Sequence, residues 1–225
     1  MLVALLAFLA GILAVGAVLL FNPFAKPAKK TSPILGAAPD GHTLETFTIR
    51  APEDIVAVTH SGDNIIDPRP AGIGMFDDPA LRTGLLLLAK IRDASGEIVG
   101  FATESEATAS DSNPLLGKMR MNTDWTIVLP SRGTIFATQI EDAGSIGKDI
   151  LPAVMIGKGW DGEADFISTV GPSQDGRGII VGGSREFAGI AGTFVERTRL
   201  KHMSKARGGV GNFELQIAYK TPAPA

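Results

Sequence analysis

The sequence has no cysteine among its 225 residues, and only three histidines, two tryptophans and one tyrosine. Without cysteine it forms no disulfide, thiolate metal site, iron–sulfur cluster or cysteine nucleophile, and its redox compartment is not marked. His42, His60 and His202 are far apart, and none has a second ligand two or four residues away, so no metal site is expected. A basic surplus is also lacking. Beyond residue 30, 18 Lys and Arg stand against 24 Asp and Glu, which argues against a nucleic-acid partner. No stretch of the chain shows a strong amphipathic helical period. What is abundant is glycine, with 27 residues, in a composition typical of a folded globular chain.

Charge is unevenly spread. Residues 1–21, MLVALLAFLAGILAVGAVLLF, carry no charged side chain, and the first is Lys26. As a helix this run would be about 30 Å long, the thickness of a bilayer's hydrocarbon core. It reads as a retained single-pass anchor rather than a cleaved signal, because it lacks a basic start and its apolar stretch is overlong. Residues 22–41 form a Pro/Ala/Lys tether. Lys26, Lys29 and Lys30 follow the apolar run, so the positive-inside rule puts the rest of the chain in the cytoplasm. A short anchor can also translocate its domain, which leaves an extracytoplasmic placement open.

Residues 42–221 read as one all-β domain. Strand patterns cover 42–49, 54–60, 83–92, 97–108, 119–129, 134–140, 164–170, 178–181, 190–200 and 211–219. Turn signals pair several of them as hairpins: Asp93-Ala-Ser-Gly96, Pro130-Ser-Arg-Gly133 and residues 171–176. Residues 63–78 read as an irregular loop, and 146–156 as either a short helix or an extended loop. In the last strand Phe213, Leu215, Ile217 and Tyr219 share one face, opposite Glu214, Gln216 and Lys220. Short strands with frequent turns imply an antiparallel barrel or sandwich. An eight-stranded barrel would leave room inside for one small ligand.

Three ordered blocks carry a family resemblance: LLLAKIRDASGEIVGFATESEAT (86–108), TDWTIVLPSRGTIFATQ (123–139) and GRGIIVGGSREFAGIAGTF (176–194). Their order, turn types and glycine spacing resemble the allene oxide cyclase barrel-like superfamily, which includes the dirigent proteins. The resemblance spans about residues 81–200. It implies an antiparallel barrel whose cavity holds a flexible hydrophobic substrate in one shape, and assembly as a homotrimer. The plant cyclases of that group carry an acid and an Asn at the end of the first strand and a Cys in the pocket. Here the corresponding stretch reads Phe47-Thr-Ile-Arg50 and cysteine is absent, so the resemblance implies the fold without that particular cyclisation.

Candidate site residues follow from strand faces. Glu104 and Glu106 share a face with Ile98, Gly100 and Ala102. If that face lines a cavity, neighbouring carboxyls raise each other's pKa and one serves as an acid; otherwise they mark a solvated strand end. Trp125, Trp160, Phe194 and Tyr219 are candidate walls for a hydrophobic ligand, with Trp160 in a loop at the barrel mouth, as a lid or as a surface-covering aromatic. Arg197, Arg199 and Lys201, with Lys26, Lys29 and Lys30, could rest on anionic lipid; a solvated strand end is the alternative for the later group. Gly157-Lys-Gly-Trp-Asp-Gly162 matches a dinucleotide fingerprint but is followed by strand-like sequence, so no cofactor is expected. Gly183-Ser-Arg185 lacks a nucleophile elbow. The function expected is that of a membrane-anchored, cofactor-independent isomerase or cyclase acting on a lipid- or polyketide-like molecule. A non-catalytic lipid or terpenoid binder and a trimeric envelope component are the alternatives.

Overall fold

The computed structural model describes residues 7–15, 37–38, 41–62, 73–113, 118–144, 146 and 150–221. Thirteen strands occur among them: β1 (Ala37–Ala38), β2 (His42–Ala51), β3 (Ile55–Thr59), β4 (Ile73–Met75), β5 (Gly84–Arg92), β6 (Ile98–Thr108), β7 (Arg120–Leu129), β8 (Gly133–Asp142), β9 (Trp160–Ile167), β10 (Thr169–Gly171), β11 (Gly178–Gly183), β12 (Ala191–Ser204) and β13 (Gly208–Lys220). Antiparallel pairing runs β2-β13-β12-β11-β8-β7-β6-β5, and β5 returns to β2 through Thr48 and Arg92. These eight strands close a barrel, which removes the exposed edges an open sheet would present.

Alternation decides the interior. Phe47, Ile49, Trp125, Ile127, Ile135, Ile180, Phe194, Leu215 and Ile217 all turn inward and form one buried core. The expected facing of the last strand holds: Leu215, Ile217 and Tyr219 are buried, while Lys220 is exposed. On β6 the facing changes partway along. Arg92 pairs with Ile98 but Ile91 pairs with Gly100, so a bulge turns Val99 inward and leaves Ile98 exposed. Beyond the bulge, Ala102 and Glu104 point inward as expected from alternation. Gly192 is required by a close approach, because a Cβ there would lie 2.0 Å from the Ala218 carbonyl oxygen.

The hairpins at Asp93–Gly96 and Pro130–Gly133 form as β5–β6 and β7–β8. The hairpin expected across residues 171–176 does not. The strand expected at 164–170 is two strands, β9 on β12 and β10 on β8, and β11 pairs with β8 and β12 rather than with β10. The reason is length: β11 has only six residues, so beyond its end β9 and β10 fill the wall between the longer β8 and β12. The loop expected over 63–78 contains β4, parallel to β3; residues 63–72 lie outside the described residues. Of the ambiguous segment, Leu151–Met155 is a short helix. Ile146, Ile150 and Val154 join Leu200 and Met203 in a second apolar cluster beside the barrel.

Of the expected anchor, residues 7–15 are helical and exposed, and the remainder of 1–21 lies outside the described residues, as do Lys26, Lys29 and Lys30. No helix among the described residues is long and apolar enough to cross a membrane.

Candidate functional site

The two ends of the barrel differ in chemistry. At one end the turn between β7 and β8 folds inward. Gly133 permits this: its φ is +145°, and a Cβ would meet the Ser184 carbonyl oxygen at 2.2 Å. Arg132, beside it, is buried and donates to Glu45 Oε2 and Oε1 at 2.7 and 2.6 Å and to Glu186 Oε1 at 3.0 Å. Tyr219 Oη donates to Glu45 Oε1 at 2.8 Å, and the Arg132 guanidinium lies 4.8 Å from the centre of the Phe187 ring. Burial works to lower the Arg132 pKa, but its hydrogen bonds to Glu45 and Glu186 outweigh it and hold the guanidinium charged. Burial and the nearby Glu45 charge push the Tyr219 hydroxyl up. This end is plugged by a satisfied ionic network.

The opposite end is open. A cavity of about 510 Å³ is lined by apolar side chains from several elements, including Leu85, Leu87, Met121, Phe166, Leu200 and Phe213. That volume suits a small organic molecule. Glu104, Glu106 and Glu141 also line it. Glu104 and Glu106 come from β6, and Glu141 continues the inward face of β8 after Ile135, Ala137 and Gln139. Glu196 continues the inward face of β12 after Phe194. Ser168, between β9 and β10, and Thr169, the first residue of β10, tie β8 and β12 together. Ser168 accepts the Asp142 N–H at 2.8 Å through its carbonyl, and its own N–H donates to the Glu196 carbonyl at 3.1 Å. The Glu196 N–H donates to Thr169 Oγ1 at 2.7 Å, and that hydroxyl donates to Gln139 Oε1.

Four carboxyls thus meet where the cavity reaches the packed core. One oxygen each from Glu104, Glu141 and Glu196 lies within 4.8 Å of the others. Two charges at that distance repel by about 3 kcal/mol at an effective dielectric of ~20. That repulsion disfavours ionising all of them together and so favours keeping protons on the group. Burial first, and then the Glu196 charge, raise Glu106 to about 8. Burial, followed by the neighbouring glutamates, pushes Glu104 and Glu141 well above the usual carboxylate range. Burial also raises Glu196, against which Glu141, Gln139, Trp125 and Ser168 pull it down. Glu196 is therefore the member best placed to ionise first.

The same oxygens are the residues that could hold a cation. Gln139 Nε2, however, donates to Glu196 Oε2 at 2.7 Å and to Glu141 Oε1. Trp125 Nε1 approaches Glu196 without completing a hydrogen bond. Two donors directed at the carboxyls suit a proton-sharing group better than a cation shell. Chemically the cluster can deliver a proton from a neutral acid and accept one on an ionised neighbour, next to apolar walls that exclude water.

The candidate residues named from sequence are distributed unequally. Glu104 and Glu106 line the cavity. Trp125 lies beneath them, paired across strands with Glu104, its ring centre 6.2 Å from that of Phe194; both are buried in the core rather than on the lining. Tyr219 belongs to the plugged end. Trp160 is on strand β9, not in a loop, and packs over Gly162 beside the second apolar cluster, away from the lining. Arg197 and Arg199 both pair with Asp165, and Arg199 also with Glu214, so much of their charge is neutralised at the surface; Lys201 is exposed. Strand reading missed Glu45, Arg132, Glu141 and Glu196. Each is buried and continues the inward alternation of its strand or turn, which is the signal that would have found them.

No protein-family model matches the sequence, and no curated protein matches it either. Among solved structures, it is similar to a pterocarpan synthase dirigent protein, at 12% identity over 82% of this chain and 87% of that one, with a TM-score of 0.38. It is also similar to a nonspecific heme-binding cyclase that catalyses a cycloaddition during neoabyssomicin biosynthesis, at 11% identity over 81% of this chain and 69% of that one, again with a TM-score of 0.38.

Proposed function

We propose that this protein is a cofactor-independent isomerase or cyclase that folds one apolar molecule in the open end of its barrel. The observation that carries the reading is the placement of Glu104, Glu106 and Glu141 on the lining of an otherwise apolar cavity, backed by Glu196. One carboxylic acid gives its proton to a developing oxyanion while an ionised neighbour takes a proton from carbon. The cluster then re-equilibrates its protons, and the substrate's formula is unchanged. Apolar walls contribute by holding a flexible chain in a reactive fold. The charge-free segment at residues 1–21 supports a source for the substrate: anchored in a bilayer, the barrel would receive molecules dissolved in it.

The test is incubation of the full chain in D₂O with an apolar extract of the cells that make it. The expected result is a product isomeric with its precursor, of unchanged mass when formed in H₂O and heavier when formed in D₂O, where the carboxyls return a solvent deuteron to carbon. Glu104→Gln and Glu106→Gln should each slow its appearance by about 100-fold or more. Conversion at the same rate in both variants, or no conversion by the unaltered chain, would contradict the proposal.

A further inference from the structure

The cavity's polar groups specify more than an apolar ligand. Among the described residues, the ionisable side chains of the lining are Glu104, Glu106 and Glu141, with Arg82 exposed at the rim. Glu196 of β12 stands behind them, while the inward residues of β5, β7 and β13 at this end carry no charge. Acid therefore exceeds base where the ligand would end. One buried polar atom on the lining also has no hydrogen-bond partner: Thr59 Oγ1, in a residue 7% exposed. Thr59 belongs to β3 and is independent of the carboxyl cluster. A buried acceptor without a donor is costly, and a lining position makes a ligand the natural source of one.

Register relates Thr59 to the carboxyls. Thr59 pairs with Leu85, which pairs with Glu106, so the row crosses from β3 through β5 to β6. Two strand spacings separate Thr59 from Glu106 by about 10 Å at the backbone. A third inward residue, Thr123 of β7, pairs with Glu106 on one side and Gln139 on the other, and its buried hydroxyl is also unpartnered. Donors supplied by a ligand would satisfy this group. An ammonium has three donors and a positive charge, and it would turn the unfavourable crowding of carboxyls into ion pairs.

We propose that the cavity takes an apolar molecule bearing a protonated amine, with the ammonium held by Glu104, Glu106 and Glu141 and a second polar group within reach of Thr59. This rests on the reading of the open barrel end as a ligand cavity and narrows the class of molecule. Binding a cation there displaces protons from carboxyls that the free protein keeps neutral. The complex therefore forms with release of protons to solvent.

The experiment is calorimetric titration of the full chain with n-decylamine, n-decanol and n-decanoate, in buffers of different ionisation enthalpy. The amine should bind about tenfold or more tighter than the alcohol, and decanoate most weakly. At pH 7 amine binding should release protons to the buffer where decanol binding does not, and the share from Glu106 should decline as pH rises past about 8. Glu106→Gln should reduce the amine's preference and leave decanol binding in place. Should that variant fail to fold, proton release by the unaltered chain still decides the matter. Equal affinity for amine and alcohol, or binding without proton release, would overturn the amine assignment while leaving an apolar ligand in place. Binding of none of the three would overturn the cavity reading itself, and with it this inference. Proton release driven by Ca²⁺ or Mn²⁺ with no preference for the amine would reassign the cluster to metal and overturn it too.

Discussion

Glu106 shows how much a single side chain's surroundings decide. The same carboxyl in an unfolded chain titrates near 4.5, whereas burial and then the charge of Glu196 hold it near 8 in the barrel. A raised carboxyl favours the folded state while it is protonated in both states. That contribution is fully present below about pH 4.5 and is lost as pH rises toward 8. Stability should fall across that window by about 1.4 kcal/mol per pH unit for each proton involved, and Glu106→Gln should flatten the slope. Denaturant unfolding at several pH values checks this; a flat profile in the unaltered chain would contradict it. Asp54 acts in the other direction. Burial raises it, but Arg92, the Arg50 N–H and Lys90 together hold it below its ordinary 3.8, so its contribution is present above that value and lost as pH falls. The two effects occupy separate windows. Glu104 and Glu106 could be singled out in the sequence because they sit two apart on one strand face. Glu141 and Glu196 continue the inward alternation of β8 and β12, but nothing local marks them as partners of Glu104, because β6, β8 and β12 come together only once the barrel closes.

At the scale of elements, the plugged end is held by contacts between segments remote in sequence. Arg132 lies in the β7–β8 turn, Glu45 on β2, Tyr219 on β13 and Glu186 in the 3₁₀ turn after β11. Truncating the arginine leaves Glu45 buried without its counter-charge, which typically costs about 3–5 kcal/mol. Arg132→Met should therefore destabilise strongly by denaturant titration. Glu45→Gln combined with it should recover a good part of the loss, because the uncompensated charge is then gone. If the double variant is no better than the single, the network is not what holds this end. Local turn chemistry made the β5–β6 and β7–β8 hairpins readable, since Asp-x-x-Gly and Pro-x-x-Gly act within four residues. The arrangement of β9, β10 and β11 was not readable, because it depends on the lengths of β8 and β12 rather than on any turn. Trp160 reads as a loop residue because Gly157–Gly162 looks like punctuation, yet β9 begins at Trp160 against Met203.

For the whole molecule, the barrel is asymmetric along its axis. One end is closed by a charged but fully paired network and the middle is packed with Phe47, Trp125 and Phe194. The other end is an apolar cavity with carboxyls on its lining. On the proposed reading a ligand would enter from that end and meet the acids at the inner limit of the cavity. Native mass spectrometry of the full chain, extracted in detergent and released gently, tests this most directly. The expected result is one apolar small molecule bound per chain, retained while the fold persists. A chain that carries no bound molecule under every condition preserving the fold would contradict it.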